Sequence, residues 1–136
     1  TLLLNRIKGI LKNKIKNKLI CFLGVTFKAN TDDMRDSSSL IMIPELSKKG
    51  ALINYYDPTG SKSELANYKN VFYSKNIKSA IAESDLIIIH TEWNDFKSIN
   101  FKSLNKNKKF KIFDMRNIYS PQKMKQQQIN YYGIGR

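Results

Sequence analysis

Apolar residues along this chain form short runs that alternate with amphipathic stretches. Four runs have the length and apolar character of buried strands, at residues 19–23, 52–56, 85–90 and 110–114. Two stretches have the apolar spacing of helices, at residues 38–49 and 77–83. Strands that are apolar on both faces are typical of parallel sheets covered by helices on both sides. The pattern therefore predicts an α/β doubly wound domain with a mostly parallel sheet of about five or six strands.

Shorter elements complete the predicted order. Residues 2–16 have helical apolar spacing and indicate the end of a longer helix. Pro44 lies inside the helix predicted for 38–49, which should therefore begin late or bend at that residue. Gly50 follows this helix in the usual position that ends one. The remaining elements are a helical turn at 65–69, short strands at 71–73 and 130–134, and a helix beginning at Pro121.

The bulk composition is that of one ordinary globular domain, with 136 residues and 41% hydrophobic content. No run approaches the roughly 20 apolar residues that cross a bilayer, so we expect no membrane partner. The chain starts without a signal peptide or an initiator Met, and we interpret it as a fragment of a longer protein. Its single cysteine, Cys21, excludes an internal disulfide and is compatible with a cytoplasmic location. Within "LICFL" we interpret Cys21 as a buried structural thiol.

The net charge of +13 raises the question of a nucleic-acid partner. Most lysines, however, are scattered through Asn- and Lys-rich stretches such as "LKNKIKNK" and "LNKNKKFK". Neither stretch has the interleaved aromatic residues of a base-stacking surface. We therefore expect no nucleic-acid partner, while the positive surface favours a phosphorylated ligand.

Charged residues concentrate directly after three of the predicted strands. The segments are "GVTFKANTDDMR" at 24–35, "HTEWNDF" at 90–96 and "DMRN" at 114–117. Ligands of open α/β sheets bind outside the carboxyl ends of the strands, where such segments meet. The sequence therefore predicts a ligand site at this edge of the sheet.

The first of these segments has side chains suited to a phosphorylated ligand. Gly24 stands alone, so the segment is not a glycine-rich dinucleotide fingerprint. Lys28 can supply positive charge to a phosphate, Arg35 a planar fork, and Phe27 a wall for a base or sugar pocket. The alternative is that Phe27 fills the core, while Lys28 and Arg35 are solvated or paired with aspartates of the same segment.

Structural roles are favoured for most other polar residues at strand ends. We interpret Asp57 as the cap of the "DPTG" turn rather than a ribose-binding acid, and His90 as a hydrogen-bonded structural residue. Trp93 should anchor its loop by packing, and its indole N–H needs a partner if it is buried. Asp114 and Arg116 follow one strand, and the structural alternative for them is a local ion pair. The sequence contains no recognisable metal cluster or activated nucleophile.

Three longer stretches carry motifs in a shared order: "GVTFKANTDDMRDSSSL", "SDLIIIHTEWNDFKSINF" and "FDMRNIYSPQKMKQQQINYYGIGR". The first contains Gly-x-x-Phe-Lys-x-x-Thr-x-Asp-x-Arg-x-Ser, the second Thr-Glu-Trp-x-x-Phe, and the third Asp-x-Arg-Asn-x-Tyr and a closing Gly-Arg. In sequence, order and spacing they resemble the nucleotide-sugar 6-dehydrogenases, the UDP-glucose/GDP-mannose dehydrogenase family. The resemblance covers about Lys18 to Arg136, which is nearly the whole chain.

The resemblance implies a Rossmann-like fold and, within the family, the C-terminal domain that closes over the UDP-sugar. Residues 18–136 would form this UDP-sugar-binding domain, and residues 1–17 would be the end of the connecting helical region. The implied partner is the NAD-binding domain of the same longer chain, which would make most of the contacts to NAD. The full-length enzyme would be a homodimer.

Residue roles follow from the same resemblance. It implies that Phe27 and Lys28 contact the nucleotide-sugar, and that Arg116 holds the substrate from its strand end. It also implies that Arg35 reaches NAD across the domain interface. Met115 stands where many family members have Gly, and its larger side chain could shift Arg116.

The Thr-Glu-Trp loop is most similar to the branch of the family that acts on UDP-glucose. That branch implies two successive NAD-dependent oxidations at C6, which yield UDP-glucuronate. The family's catalytic Cys, Lys and Asn belong to other segments, and Cys21 matches none of them. We therefore expect no catalytic residue here and no activity from this chain alone. The alternatives are a dehydrogenase for UDP-N-acetylmannosamine or GDP-mannose, a non-catalytic nucleotide-binding module and, more distantly, a nucleic-acid binder.

Overall fold

Six parallel strands form the centre of the computed structural model, which describes residues 2 to 136. The strands are β1 (Leu19–Leu23), β2 (Leu52–Tyr56), β3 (Val71–Tyr73), β4 (Leu86–Ile89), β5 (Lys111–Asp114) and β6 (Asn130–Gly133). Their order in the sheet is β3-β2-β1-β4-β5-β6, and every neighbouring pair is parallel. This is the strand order of the Rossmann fold, so the predicted fold class is confirmed.

Helices cover both faces of the sheet. They are α1 (Leu2–Ile10), α2 (Ser39–Lys48), α3 (Ile77–Ile81), α4 (Phe101–Leu104) and α5 (Pro121–Gln126), with 3₁₀ turns at Ser63–Leu65 and Asn94–Phe96. Side chains alternate between the two faces along each strand. In β1, Ile20 and Phe22 therefore pack into one hydrophobic cluster, while Cys21 and Leu23 pack into the other. This two-sided burial explains why the central strands are apolar at every position.

The first helix is shorter than the amphipathic stretch at 2–16 predicts. It ends at Ile10, and the chain turns at Lys12 and Asn13, whose φ angles are 54 and 64 degrees. A left-handed backbone cannot continue a right-handed helix. The apolar residues beyond this turn, Leu11 and Ile15, are nevertheless buried.

The segment predicted to be a connecting region, residues 1–17, packs four of its apolar side chains into the core: Ile7, Ile10, Leu11 and Ile15. Ile7 and Ile15 belong to the same buried cluster as Phe22 of β1. Thr1 lies outside the described residues. The assignment of this segment to a separate connecting region stays a prediction.

Two local expectations differ from the structure. Of the two outcomes expected at Pro44, the late start does not occur, because α2 starts at Ser39, well before Pro44, and continues to Lys48, and a bend at Pro44 stays a prediction. Proline removes a backbone hydrogen bond, but burial of apolar side chains on both sides of it, among them Ile43 and Leu46, stabilises the helix. The helical turn expected at 65–69 lies earlier, as the 3₁₀ turn that ends at buried Leu65.

Candidate functional site

The three charged segments meet at one edge of the sheet, as predicted. Their strands, β1, β4 and β5, are direct neighbours. Leu23 of β1 is aligned with Ile89 of β4, and Ile89 is aligned with Asp114 of β5. Parallel strands in this register end together, so the segments that follow them share one rim.

Close packing fixes the start of the loop after β1. Gly24 has a φ of 78 degrees, and a Cβ atom at this position would lie 2.6 Å from the Cβ of Thr91. Only glycine allows the loop to pass so close to the segment after β4. Gly24 N–H also donates to the Tyr56 carbonyl oxygen at 2.8 Å, which holds the loop against β2.

Asp57 braces the same loop from the end of β2. Its Oδ2 accepts a hydrogen bond from Val25 N–H at 2.9 Å. Its Oδ1 accepts from the backbone N–H of Thr59 at 2.9 Å and from the Thr59 hydroxyl at 2.6 Å. The predicted turn cap is confirmed, and the carboxylate has the additional role of joining two strand-end loops.

The middle of the loop presents Phe27 and Lys28 to solvent. Phe27 N–H donates to the Asp33 carbonyl oxygen at 3.0 Å, and the Thr26 hydroxyl donates to the Lys28 carbonyl oxygen at 2.9 Å. The Phe27 residue is 47% exposed, and Lys28 is also exposed. Buried Met34 fills the core beneath the loop instead. The alternative that Phe27 is a core residue is therefore wrong.

Arg116 joins the three segments through its guanidinium group. Its Nε donates to the carbonyl oxygen of His90 at 2.9 Å, and its Nη2 donates to that of Phe27 at 3.4 Å. The local ion pair with Asp114 does not form. Instead, Asp114 accepts hydrogen bonds from the backbone N–H of Arg116 at 3.1 Å and from the Tyr131 hydroxyl at 2.7 Å. Both side-chain contacts of Arg116 are to neutral carbonyls, so its charge stays available to an anion at the rim.

Arg35 is paired with an aspartate of its own segment, which was the alternative interpretation of this residue. Its Nε and Nη2 donate to the two carboxylate oxygens of Asp33 at 3.1 and 3.0 Å. The Arg35 side chain is 88% exposed, and its hydrogen bonds lower the pKa of the Asp33 carboxylate. The pair lies next to Phe27, because Phe27 N–H bonds the Asp33 carbonyl. A contact between Arg35 and NAD stays a prediction.

His90 is buried at the end of β4, and its predicted structural role is confirmed. Its Nε2 lies 2.9 Å from the Ser38 hydroxyl, and its Nδ1 lies 3.0 Å from the Thr91 hydroxyl. Burial, with a smaller contribution from the charge of Arg116, lowers the pKa of His90 to about 3. The roles of Ser38 and Thr91 cannot be predicted from the amino-acid sequence, because hydroxyl residues give no pattern that would reveal a tertiary contact.

Trp93 and Cys21 lie in the core beneath the rim. Trp93 is buried as expected, but its indole N–H has no hydrogen-bond partner within residues 2–136. Cys21 is buried in β1, and burial raises the pKa of its thiol. A buried thiol with a raised pKa is a poor nucleophile. The described part of the chain holds no group of three or more His, Cys, Asp or Glu side chains that could bind a metal.

Comparison with known protein families shows the family of this chain. A sequence profile of the "UDP-glucose/GDP-mannose dehydrogenase family, UDP binding domain" matches residues 21–121. The chain belongs to this family. The match includes every rim residue described above, from Gly24 to Arg116.

Curated proteins similar to this chain include UDP-glucose 6-dehydrogenases. The enzyme of Rhizobium meliloti is 36% identical over 90% of this chain, and that of Rickettsia felis is 34% identical over 98%. The chain spans only 28 and 30% of the lengths of these two relatives.

Solved structures of the family share the fold. An NDP-N-acetyl-D-galactosaminuronic acid dehydrogenase from Methanosarcina mazei aligns with a TM-score of 0.80 at 24% identity, over 99% of this chain and 28% of that one. A UDP-D-ManNAc dehydrogenase from Pyrococcus horikoshii aligns with a TM-score of 0.72 at 26% identity, over 98% of this chain and 29% of that one. None of the helices in residues 2–136 is long and apolar enough to cross a membrane.

Proposed function

We propose that this chain is the domain of an NAD-dependent UDP-glucose 6-dehydrogenase that binds the UDP part of UDP-glucose and closes the active site. The observation that carries the proposal is the position of Arg116. Its guanidinium lies where three strand ends meet, and its side chain contacts carbonyl oxygens rather than carboxylates. The names of the curated relatives support UDP-glucose as the substrate.

Each rim residue has a distinct proposed task. Arg116 keeps N–H donors beyond the two it uses, and these would bind the diphosphate. Lys28 would add a point charge, and the half-exposed ring of Phe27 would pack against the uracil or the sugar. The net charge of +13 would attract the anionic ligand over a longer range.

NAD would be bound mainly by another domain of the longer protein. In this chain the lone glycine after β1 packs against Thr91 instead of leaving its backbone open to a pyrophosphate. The residues present therefore do not fit a complete dinucleotide cradle. We propose that Arg35, whose side chain is exposed, contacts NAD across the domain interface after exchanging its partner Asp33 for the cofactor.

The oxidation itself would depend on residues of the longer protein. The buried thiol of Cys21 excludes it as the covalent nucleophile, so the proposed contribution of this domain is binding and closure. We further propose that the whole enzyme is a homodimer in the cytoplasm. A second candidate substrate is UDP-N-acetylmannosamine, which is favoured by the 26% identity to the Pyrococcus horikoshii dehydrogenase.

Titration calorimetry of the chain with UDP, UDP-glucose and uridine tests the proposal. We expect UDP and UDP-glucose to bind, and uridine to bind at least about tenfold more weakly, because charged hydrogen bonds are worth about 1.5–3 kcal/mol each. Arg116→Ala should weaken UDP binding, while Lys108→Ala, at an exposed position in a Lys-rich stretch, should not. Equal affinity for uridine and UDP would overturn the proposed recognition of the diphosphate.

A further inference from the structure

His90 contacts the loop after β1, its neighbour Thr91 and Arg116 after β5, although the residue is only 1% exposed. Its Nε2 contacts Ser38, which precedes α2 at the end of the loop after β1. Its Nδ1 contacts Thr91, and its carbonyl oxygen accepts from Arg116 at 2.9 Å. These contacts link His90 to the loops on both sides of it.

The hydrogen-bond partners of His90 determine its tautomer. The Thr91 hydroxyl donates its one hydrogen to the Thr26 carbonyl oxygen at 3.0 Å. It can therefore only accept from His90, so Nδ1 carries the proton. A neutral imidazole has one N–H, so Nε2 is an acceptor and the Ser38 hydroxyl donates to it. Burial keeps the ring neutral, because the charged form is poorly solvated there.

The resulting chain of hydrogen bonds sets the position of one loop relative to another. It runs from Ser38 through His90 and Thr91 to the Thr26 carbonyl, and so ties both ends of the loop after β1 to the segment after β4. The carbonyl oxygen of Phe27, next to Thr26, accepts a hydrogen bond from Nη2 of Arg116. A shift of this loop would therefore change the spacing between Phe27 and the Arg116 guanidinium.

We propose that His90, as the neutral Nδ1–H tautomer, is the positioning residue of the UDP-binding rim. It holds the loop of Phe27 and Lys28 at the distance from Arg116 that the diphosphate requires. This role rests on the proposed function, because it presupposes that the rim binds UDP.

The first test needs no ligand. His90 is the only histidine, so labelling the chain with ¹⁵N-histidine gives one imidazole whose signals are assigned without ambiguity. We expect the Nδ1–H pattern at neutral pH, and a change in the Nε2 shift in Ser38→Ala. A ring protonated on Nε2 at neutral pH would overturn the proposal.

The second test compares UDP affinity with stability. His90→Leu should weaken UDP binding about fivefold or more, and His90→Asn, which keeps a donor at the Nδ1 position, should restore part of the loss. The matched control is Ile88→Val, a conservative change in the buried strand that ends at His90. This control should lower the melting temperature without a comparable loss of UDP affinity.

The outcomes separate the two claims. A folded His90→Leu chain that binds UDP as tightly as wild type would overturn the positioning role. The same conclusion follows if His90→Leu and Ile88→Val lose UDP affinity in proportion to their melting temperatures. Failure of the wild-type chain to bind UDP would instead overturn the proposed function, and the role of His90 with it, whatever tautomer the spectra show.

Discussion

Acid should destabilise this chain well above the pH at which most carboxylates titrate, and His90 is the cause. The pKa of His90 is about 3 in the folded chain, against about 6.5 for an unperturbed histidine. The unfolded state therefore binds a proton at a pH where the folded state does not. The stability contributed by neutral His90 is fully present above about pH 6.5 and is lost progressively as the pH falls toward 3.

The magnitude follows from the same two pKa values. A pH of 5 is about 1.5 units below the pKa of the unfolded histidine, and each unit is worth about 1.4 kcal/mol. The free energy of unfolding therefore falls by about 2 kcal/mol between pH 7 and pH 5. This value depends little on the folded pKa, provided that it stays below about 4. For a domain of ordinary stability, about 2 kcal/mol is a large part of the total free energy of unfolding.

Urea denaturation at pH 7 and pH 5 measures this effect, with His90→Asn as the comparison. The free energy of unfolding of the wild type should fall by about 2 kcal/mol more than that of His90→Asn between the two pH values. The asparagine variant removes the histidine titration but keeps the carboxylates, so the difference isolates His90. Equal pH dependence of the two chains would refute the claim that His90 is buried and neutral.

Three further substitutions test the rim. Lys28→Ala should weaken UDP binding by about 1.5–3 kcal/mol in calorimetry while Lys108→Ala has little effect, and equal losses would make Lys28 an ordinary solvated lysine. In the full-length enzyme, Arg35→Ala should raise the KM for NAD about tenfold and more than that for UDP-glucose, whereas an unchanged KM for NAD with a destabilised chain would leave only a bracing role. Gly24→Ala should lower the melting temperature and weaken UDP binding, because its Cβ would lie 2.6 Å from that of Thr91; a variant identical to wild type in both assays would contradict this packing.

The sheet could be predicted because burial dictates its sequence. The runs at β1 and β4 are apolar at successive positions, since both faces of these central strands are covered. The end of α1 could not be predicted in this way. It depends on two successive left-handed conformations, at Lys12 and Asn13. Asn tolerates this conformation, but a lysine gives no signal for it, and Asn recurs throughout this chain.

The site was predictable as a location but not as a set of contacts. Parallel topology alone brings the segments after β1, β4 and β5 together. The partner of each cation depends on distances that spacing does not give. The Arg35 guanidinium pairs with Asp33, two residues away. The Arg116 guanidinium does not pair with Asp114, also two residues away, and instead donates to backbone carbonyls of two other segments.

The central claim is that UDP binds at the rim formed by residues 24–38, 90–96 and 114–117. Mapping amide chemical shifts while UDP is added to the ¹⁵N-labelled chain tests it most directly. The account predicts that the largest shifts fall in these three segments, with Phe27, Lys28 and Arg116 among them. Shifts concentrated instead in the groove beside β6, lined by Lys125 and Tyr132, or an absence of saturable shifts, would contradict it.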